Sequence, residues 1–325
     1  MGDGLNFMLY FRETRMKRIL AIDGGGIKGV FSASFLASIE DATGHRACDF
    51  FDLIVGSSTG GILALGLGLG LSASELLRFY EEYGHEIFEV QKYGWLKKWF
   101  VCQYNQDRLR FALEKKIGSD ILLGHSKKRL VIPAFNLDTG QVHIYKTSHH
   151  QHLECDYKCK VVDVALATSA APTFFQSFRS SNGMPLIDGG VYANNPTGMA
   201  VVEAISILGW PKEQLRVLSL GCTSEPLDVR RHAKGRFYWA VKSTDVFLKA
   251  QSSLSLGTAY LLVGHDNVKR IDPIVSNHRF ALDKVKEINS LKGMGASEAR
   301  NHLPSLRKMF DFNVIAENFE PSHKI

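Results

Sequence analysis

The stretch "DLIVGSSTGGILALGLGLGL", Asp52 to Leu71, decides between two folds. Leu53 to Ser74 is the one segment free of charge for long enough to read as a membrane span. It also carries six glycines and a polar Ser57-Ser58-Thr59, which leaves about a dozen firmly apolar residues where a span needs roughly 20. The better reading is a sharp turn followed by a core helix. "GSSTG", Gly56 to Gly60, fits the G-x-S-x-G spacing, with an apolar β-type run before it and a helical run after it. A turn tight enough to lift the Ser58 hydroxyl clear of a sheet crowds its flanks. The elbow positions Gly56 and Gly60 must therefore be nearly free of side chain.

The same grammar occurs upstream. "KRILAID", Lys17 to Asp23, is a short apolar run ending in glycines, and "FSASFLASIEDATG" then places Phe31, Phe35 and Ile39 at helical spacing. "SASELLRFYEEYGHEIF" opens on a serine cap and reads as an amphipathic helix. "RLVIPAFN" and "QVHIYKT" read as strands joined at "LDTG", and "QLRVLSLG" as another buried strand. Strands alternating with helices predict an α/β fold with a mostly parallel sheet covered on both faces, and ligands then gather at the strand ends.

The whole composition agrees with such a fold. The 325 residues are 45% hydrophobic and 22% charged, enough to bury a sizeable core. Lys plus Arg exceed Asp plus Glu by 39 to 33, so the surface is mildly basic. Five scattered cysteines do not make a disulfide framework and fit a reducing cytosol. The N-terminus lacks the order of a signal peptide, Asn6 stands where a myristoylation site wants Ser or Thr, and Met16 is a second candidate start. We expect an extension over 1–16, a catalytic core over 17–228 and a more helical, polar part over 229–325 that packs on the core within one domain.

"DGGGIKG", Asp23 to Gly29, admits two readings. Gly24, Gly26 and Gly29 satisfy G-x-G-x-x-G, with Asp49 and Asp52 about 20 residues on where a ribose-binding acid would stand, as in a dinucleotide-binding oxidoreductase. Alternatively, unhindered glycine N–H groups at a helix start form an oxyanion hole. A P-loop fails, because Val30 follows Gly29 and no Gly-Lys-Ser/Thr is present. "LIDGGVYANNP", Leu186 to Pro196, ends a short apolar run on Asp188 and projects a carboxylate from a strand-end loop. Together the three stretches supply a nucleophile, a base and an oxyanion hole.

This ordered trio resembles the patatin-like phospholipase family, whose members use a Ser-Asp dyad. "ATSAAPTFF", Ala167 to Phe175, matches a further signature of that family, and the similarity runs from about Arg18 to Leu220. The resemblance implies a three-layer fold with a helical C-terminal addition and hydrolysis of acyl esters of membrane phospholipids. Ser58 would be the nucleophile and Asp188 the general base, with Gly24, Gly25 and Gly26 as oxyanion donors and no metal or organic cofactor. Lys28 is a candidate headgroup contact, and a solvated helix lysine fits it equally. "NLDTGQVHIYKTSHH", "VVDVALATSAAPTFF" and "INSLKGMGASEARNHLP" narrow the resemblance to compact bacterial effectors of antiphage defence. Those effectors are switched on by a cyclic dinucleotide such as cyclic GMP-AMP, made by a partner synthase. The narrower resemblance implies a cytoplasmic enzyme acting on the inner face of the cell membrane, with homo-oligomers in view and no DNA or RNA partner. An ungated lipid acyl hydrolase is the alternative within the family.

Three clusters lie outside the trio. Arg230, Arg231, Lys234 and Arg236 beside aromatics form a candidate nucleotide or anion site, or a solvated helix face. Trp95, Lys97, Lys98 and Trp99 have the composition of a membrane contact, or of a core or lid helix. His149, His150, His152, Cys155 and Cys159 look metal-like, yet their spacing fits no zinc pattern, and we assign no metal site.

Overall fold

The computed structural model describes residues 15–90, 102–226, 235–276, 280–317 and 319–325. β1 (Lys17–Ile22), β2 (Leu53–Gly56), β3 (Arg129–Asn136), β7 (Leu215–Leu220) and β8 (Val268–Ile271) run parallel, in the spatial order β3-β2-β1-β7-β8. β4 (Gln141–Lys146), β5 (Phe178–Arg179) and β6 (Pro185–Asp188) add antiparallel pairs at the β3 side. The sheet is thus mostly parallel, as the alternating strand and helix grammar requires.

Alternation along β1 shows how both faces are covered. Leu20 and Ile22 join a core with α1 (Gly29–Thr43), α2 (Thr59–Gly68), α3 (Ala73–Ile87), α4 (Gln106–Ile117), α5 (Val161–Thr168) and α9 (Ile288–Phe310). Ile19 and Ala21 face the other way, against α7 (Thr197–Ser206) and α8 (Gly235–Val263). A short helix, α6 (Gly190–Ala193), follows β6 directly. Ser72 caps α3 in both directions: its hydroxyl accepts the Glu75 N–H at 3.1 Å, and its own N–H donates to the Glu75 carboxylate at 2.9 Å.

The C-terminal part is divided between the two faces. α9 lies on α1, α8 lies on α7, and β8 between them extends the sheet, a four-residue strand too short to register in a pattern reading. Arg18, 2% exposed, donates to the Phe310 carbonyl at 2.9 Å and the Val314 carbonyl at 2.6 Å, so a buried cation on β1 receives the end of α9.

Composition misplaces the apolar helices. α2, inside the stretch that resembles a span, is buried throughout. Ser243–Val263 in α8 has the length and mean hydropathy (1.2) of a span, yet only 11% of it is buried. Phe247, Leu254 and Leu261 point outward, while the polar Gln251, Ser252 and Ser255 bond inward to the segment after β6. Hydrogen bonds to that segment, together with the packing of Leu256, Ala259, Tyr260 and Val263 on the sheet, set which side of α8 faces the protein.

Candidate active site

β2 ends at Gly56 and α2 begins at Thr59, so the chain reverses within two residues. A Cβ on Gly56 would lie 2.1 Å from the Gly60 carbonyl oxygen, and one on Gly60 would lie 2.3 Å from the Ile22 carbonyl oxygen. Only glycine fits at either place. The turn forces Ser58 to φ 56° and ψ −125°, a conformation that costs a non-glycine residue on the order of 1–3 kcal/mol. Its N–H donates to the Thr168 hydroxyl at 3.0 Å, and that hydroxyl donates to the Pro133 carbonyl at 2.7 Å.

Asp188 reaches Ser58 through a change of partner along β3. Up to Val131 one edge of β3 pairs with β2; from Ala134 that edge pairs with β6, with Ala134 opposite Asp188. β6 therefore continues where β2 stops, and its last residue meets the first turn beyond β2. Pro133, which has no N–H to donate, sits at the changeover. The Ser58 hydroxyl donates to Asp188 Oδ2 at 2.6 Å, and the Gly190 N–H donates to Oδ1 at 2.6 Å. Asp188 is 5% exposed, and burial pushes its carboxyl up to about 6 against the restraint of those two donors. The "ATSAAPTFF" signature acquires a physical role here. Its Ala170 and Thr168 carbonyls accept the N–H groups of Asp188 and Gly189, both at 3.0 Å, and so fix the backbone that carries the carboxylate.

The glycine turn after β1 lies against this pair: a Cβ on Gly24 would stand 3.0 Å from Ser58 Cβ. Of the three glycines expected as oxyanion donors, Gly24 is already committed, since its N–H donates to the Asn194 carbonyl at 2.9 Å. The pairing of β1 with β7 ends one residue earlier, where the Asp23 N–H donates to the Leu220 carbonyl at 2.9 Å, and Gly24 turns to the loop after α6. The N–H groups of Gly25 and Gly26 have no hydrogen-bond partner among the described residues. Cys222 stands 2.6 Å from the place of a Cβ on Gly25, and the Leu282 carbonyl oxygen 2.3 Å from that on Gly26, whose φ of +57° also favours glycine. The Lys28 ammonium donates to the Thr223 carbonyl at 3.1 Å.

The dinucleotide-loop reading of "DGGGIKG" fails on placement. Asp52 precedes β2 and accepts the Arg18 N–H at 2.8 Å, and Asp49 lies in the turn before it. Both carboxylates are therefore at the end of the parallel sheet opposite the glycine turn. Asp23, the first residue of that motif, is instead gripped by Arg270 of β8 through two bonds of 2.8 and 2.6 Å. Burial opposes the Arg270 charge, but Asp23 and Asp272 overcome it and hold the guanidinium above its ordinary value. Arg270 also donates to the Ser219 hydroxyl at 2.9 Å. Neither Arg270 nor Asn194 was legible beforehand, since each acts through a neighbour remote in sequence.

Arg230, Arg231, Lys234, Trp95, Lys97, Lys98 and Trp99 lie outside the described residues. Arg236 is exposed in the first turn of α8. His149 is buried on Glu203 at 2.9 Å while exposed His152 stands against His150, and no group of three metal-binding side chains forms among the described residues.

A serine on a strand-to-helix elbow, bonded to a buried carboxylate at the strand ends of a doubly covered sheet, defines a class of α/β serine hydrolase. The chain belongs to the patatin-like phospholipase family, which matches it over residues 20–201. It is a serine ester hydrolase of the phospholipase type. It is 34% identical over 301 residues to the cGAMP-activated phospholipase of Pseudomonas aeruginosa, covering 88% of each chain. The proteins of the same name from Escherichia coli and Vibrio cholerae are 38% and 35% identical, over 57% and 64% of this chain. Those two matches span 55% and 64% of the relatives' lengths.

Proposed function

We propose that the protein cleaves acyl esters of membrane phospholipids through an acyl-Ser58 intermediate, and that a cyclic dinucleotide gates it. The observation that carries the catalytic part is the 2.6 Å bond from the Ser58 hydroxyl to a buried carboxylate beside two unpartnered glycine N–H groups. In the first half-reaction Asp188 takes the hydroxyl proton as Oγ bonds to the ester carbonyl carbon. The oxyanion that forms accepts from the Gly25 and Gly26 N–H groups. The intermediate collapses by breaking the ester C–O bond, and the proton on Asp188 passes to the departing alkoxide. Water then gives its proton to Asp188 and its oxygen to the acyl carbon; the fatty acid leaves and Ser58 recovers its proton. A carboxyl held near 6 suits both tasks, being ionised at neutral pH yet far more basic than an exposed aspartate.

The gated part rests on likeness to relatives named as cGAMP-activated phospholipases, one matched along 88% of its length. With it goes the antiphage role: a cytoplasmic enzyme, idle until a partner synthase makes the nucleotide, that then attacks the inner face of its own membrane. The test is fatty-acid release from mixed phospholipid vesicles by wild type and Ser58→Ala, with and without micromolar cyclic GMP-AMP. Release by wild type only, and only with nucleotide, is expected. Release without nucleotide sinks the gate, and release by Ser58→Ala sinks the nucleophile.

A further inference from the structure

A cavity of about 620 Å³ lies in the groove where α1, α3 and α9 meet, and neither Ser58 nor Asp188 lines it. Each helix presents one stripe to it at the spacing of a buried face: 34 to 41 on α1, 74 to 81 on α3, and 289 to 296 on α9. Facing helix stripes normally interdigitate large apolar side chains. These carry mainly serine, alanine, glycine and charged residues, and the space stays open. Two glycines on α9 show that the opening is local. At Gly295 a Cβ would stand 2.4 Å from the Phe31 carbonyl oxygen, so α9 is locked on α1 there; at Gly293 it would meet nothing within 4 Å.

The charges in the groove are of both signs. Lys292 reaches across from α9 to the Glu81 carboxylate of α3 at 2.7 Å. Arg78 and Asp41 also line it, and neither makes a hydrogen bond or ion pair among the described residues. A simple anion would be repelled by Asp41 and Glu81, and a simple cation by Arg78. A ligand that joins phosphates to a guanine edge needs both signs, because phosphate oxygens accept from guanidinium and ammonium while the guanine N–H groups donate to a carboxylate. The volume lies within the range for a ligand of nucleotide size.

The groove has a physical connection to the catalytic turn. Ser34 Oγ donates to the Lys292 carbonyl at 2.7 Å, tying α1 to α9 at the cavity wall. The segment leading into α9 then presses on the glycine turn, where the Leu282 carbonyl accepts the Ile27 N–H at 2.8 Å. The neighbouring Asp283 carboxylate accepts from the Tyr104 hydroxyl at 2.6 Å. A ligand that fixes α9 therefore fixes the backbone beside Gly26.

We propose that this three-helix groove is the receptor site for the cyclic dinucleotide, with phosphates on Arg78 and Lys292 and a guanine edge on Asp41, and that occupancy sets the glycine turn through Leu282. The proposal rests on the gated reading above. Calorimetric titration of the full chain with cyclic GMP-AMP tests it, using wild type, Arg78→Glu and Gly293→Leu, each checked by thermal unfolding. Arg78→Glu reverses an exposed charge, and Gly293→Leu fills the groove from a position where a Cβ meets no atom, so the two variants attack the site independently. The expected result is binding by wild type and at least tenfold weaker binding by both folded variants. Wild-type binding that both folded variants retain overturns the site but leaves the gated reading standing. No binding by wild type overturns both.

Discussion

Small residues do opposite work at the catalytic elbow and in the three-helix groove. At the elbow, glycine lets backbones approach until no Cβ fits, as at Gly56 and Gly60. In the groove it keeps side chains away from a space that nothing fills, as at Gly293. One arrangement fixes reacting atoms within 2.6 Å of each other; the other leaves about 620 Å³ for something to enter. The residue type alone does not say which applies. The neighbours it is pressed against do.

The strongest way to break the contrast is at the carboxylate that the elbow serves. Asp188→Asn is expected to lower vesicle hydrolysis by roughly 10³-fold or more, since an amide cannot take the Ser58 proton. The same variant should be more stable than wild type at pH 8. Burial raises the folded-state carboxyl from 3.8 to about 6, so the stability it contributes is full below its unfolded value and is lost as pH rises through 6. The gain at pH 8 should be on the order of 2–3 kcal/mol, vanishing near pH 4, as read by urea unfolding. Equal stability of the two proteins at pH 8 would show that burial does not raise the Asp188 carboxyl.

Gly60→Ala sharpens the packing half of the comparison. A Cβ 2.3 Å from the Ile22 carbonyl oxygen forces two backbones apart, with an expected loss of about 3 kcal/mol or more in the same unfolding assay. A milder effect lies in pH: wild-type kcat/KM should fall about tenfold from pH 7 to pH 5, with its midpoint near pH 6 where the Asp188 carboxyl takes its proton. A profile flat through that range argues against Asp188 as the base. The smallest effect belongs to Gly293→Ala. Nothing lies within 4 Å of the new methyl group, so the better helix former should stabilise the chain by about 0.5–1 kcal/mol. Destabilisation there would mean that the groove is closed in solution.

The elbow was legible because its constraint is local. Two glycines four residues apart around a serine, between an apolar run and a helical one, permit little else, and the strand and helix grammar around it gives the α/β sheet. The oxyanion turn was legible only as a motif. That Gly24 spends its N–H on Asn194 depends on a loop some 170 residues away, as does the grip of Arg270 on Asp23 from 247 residues away. The groove was not legible, since which stripes of α1, α3 and α9 face one another depends on how three helices remote in sequence pack.

The sequence by itself therefore determined the alternation that makes a parallel sheet, the strained serine turn, and the presence of an aspartate at the end of a short apolar run. These follow from backbone sterics and side-chain period, which act within a few residues. The tertiary structure decided that β6 takes over the edge of β3 where β2 ends, which glycine N–H groups stay free, and which polar stripes surround an open space. Those outcomes depend on surfaces brought together from distant parts of the chain, and the period of one segment carries no information about the segment it will face.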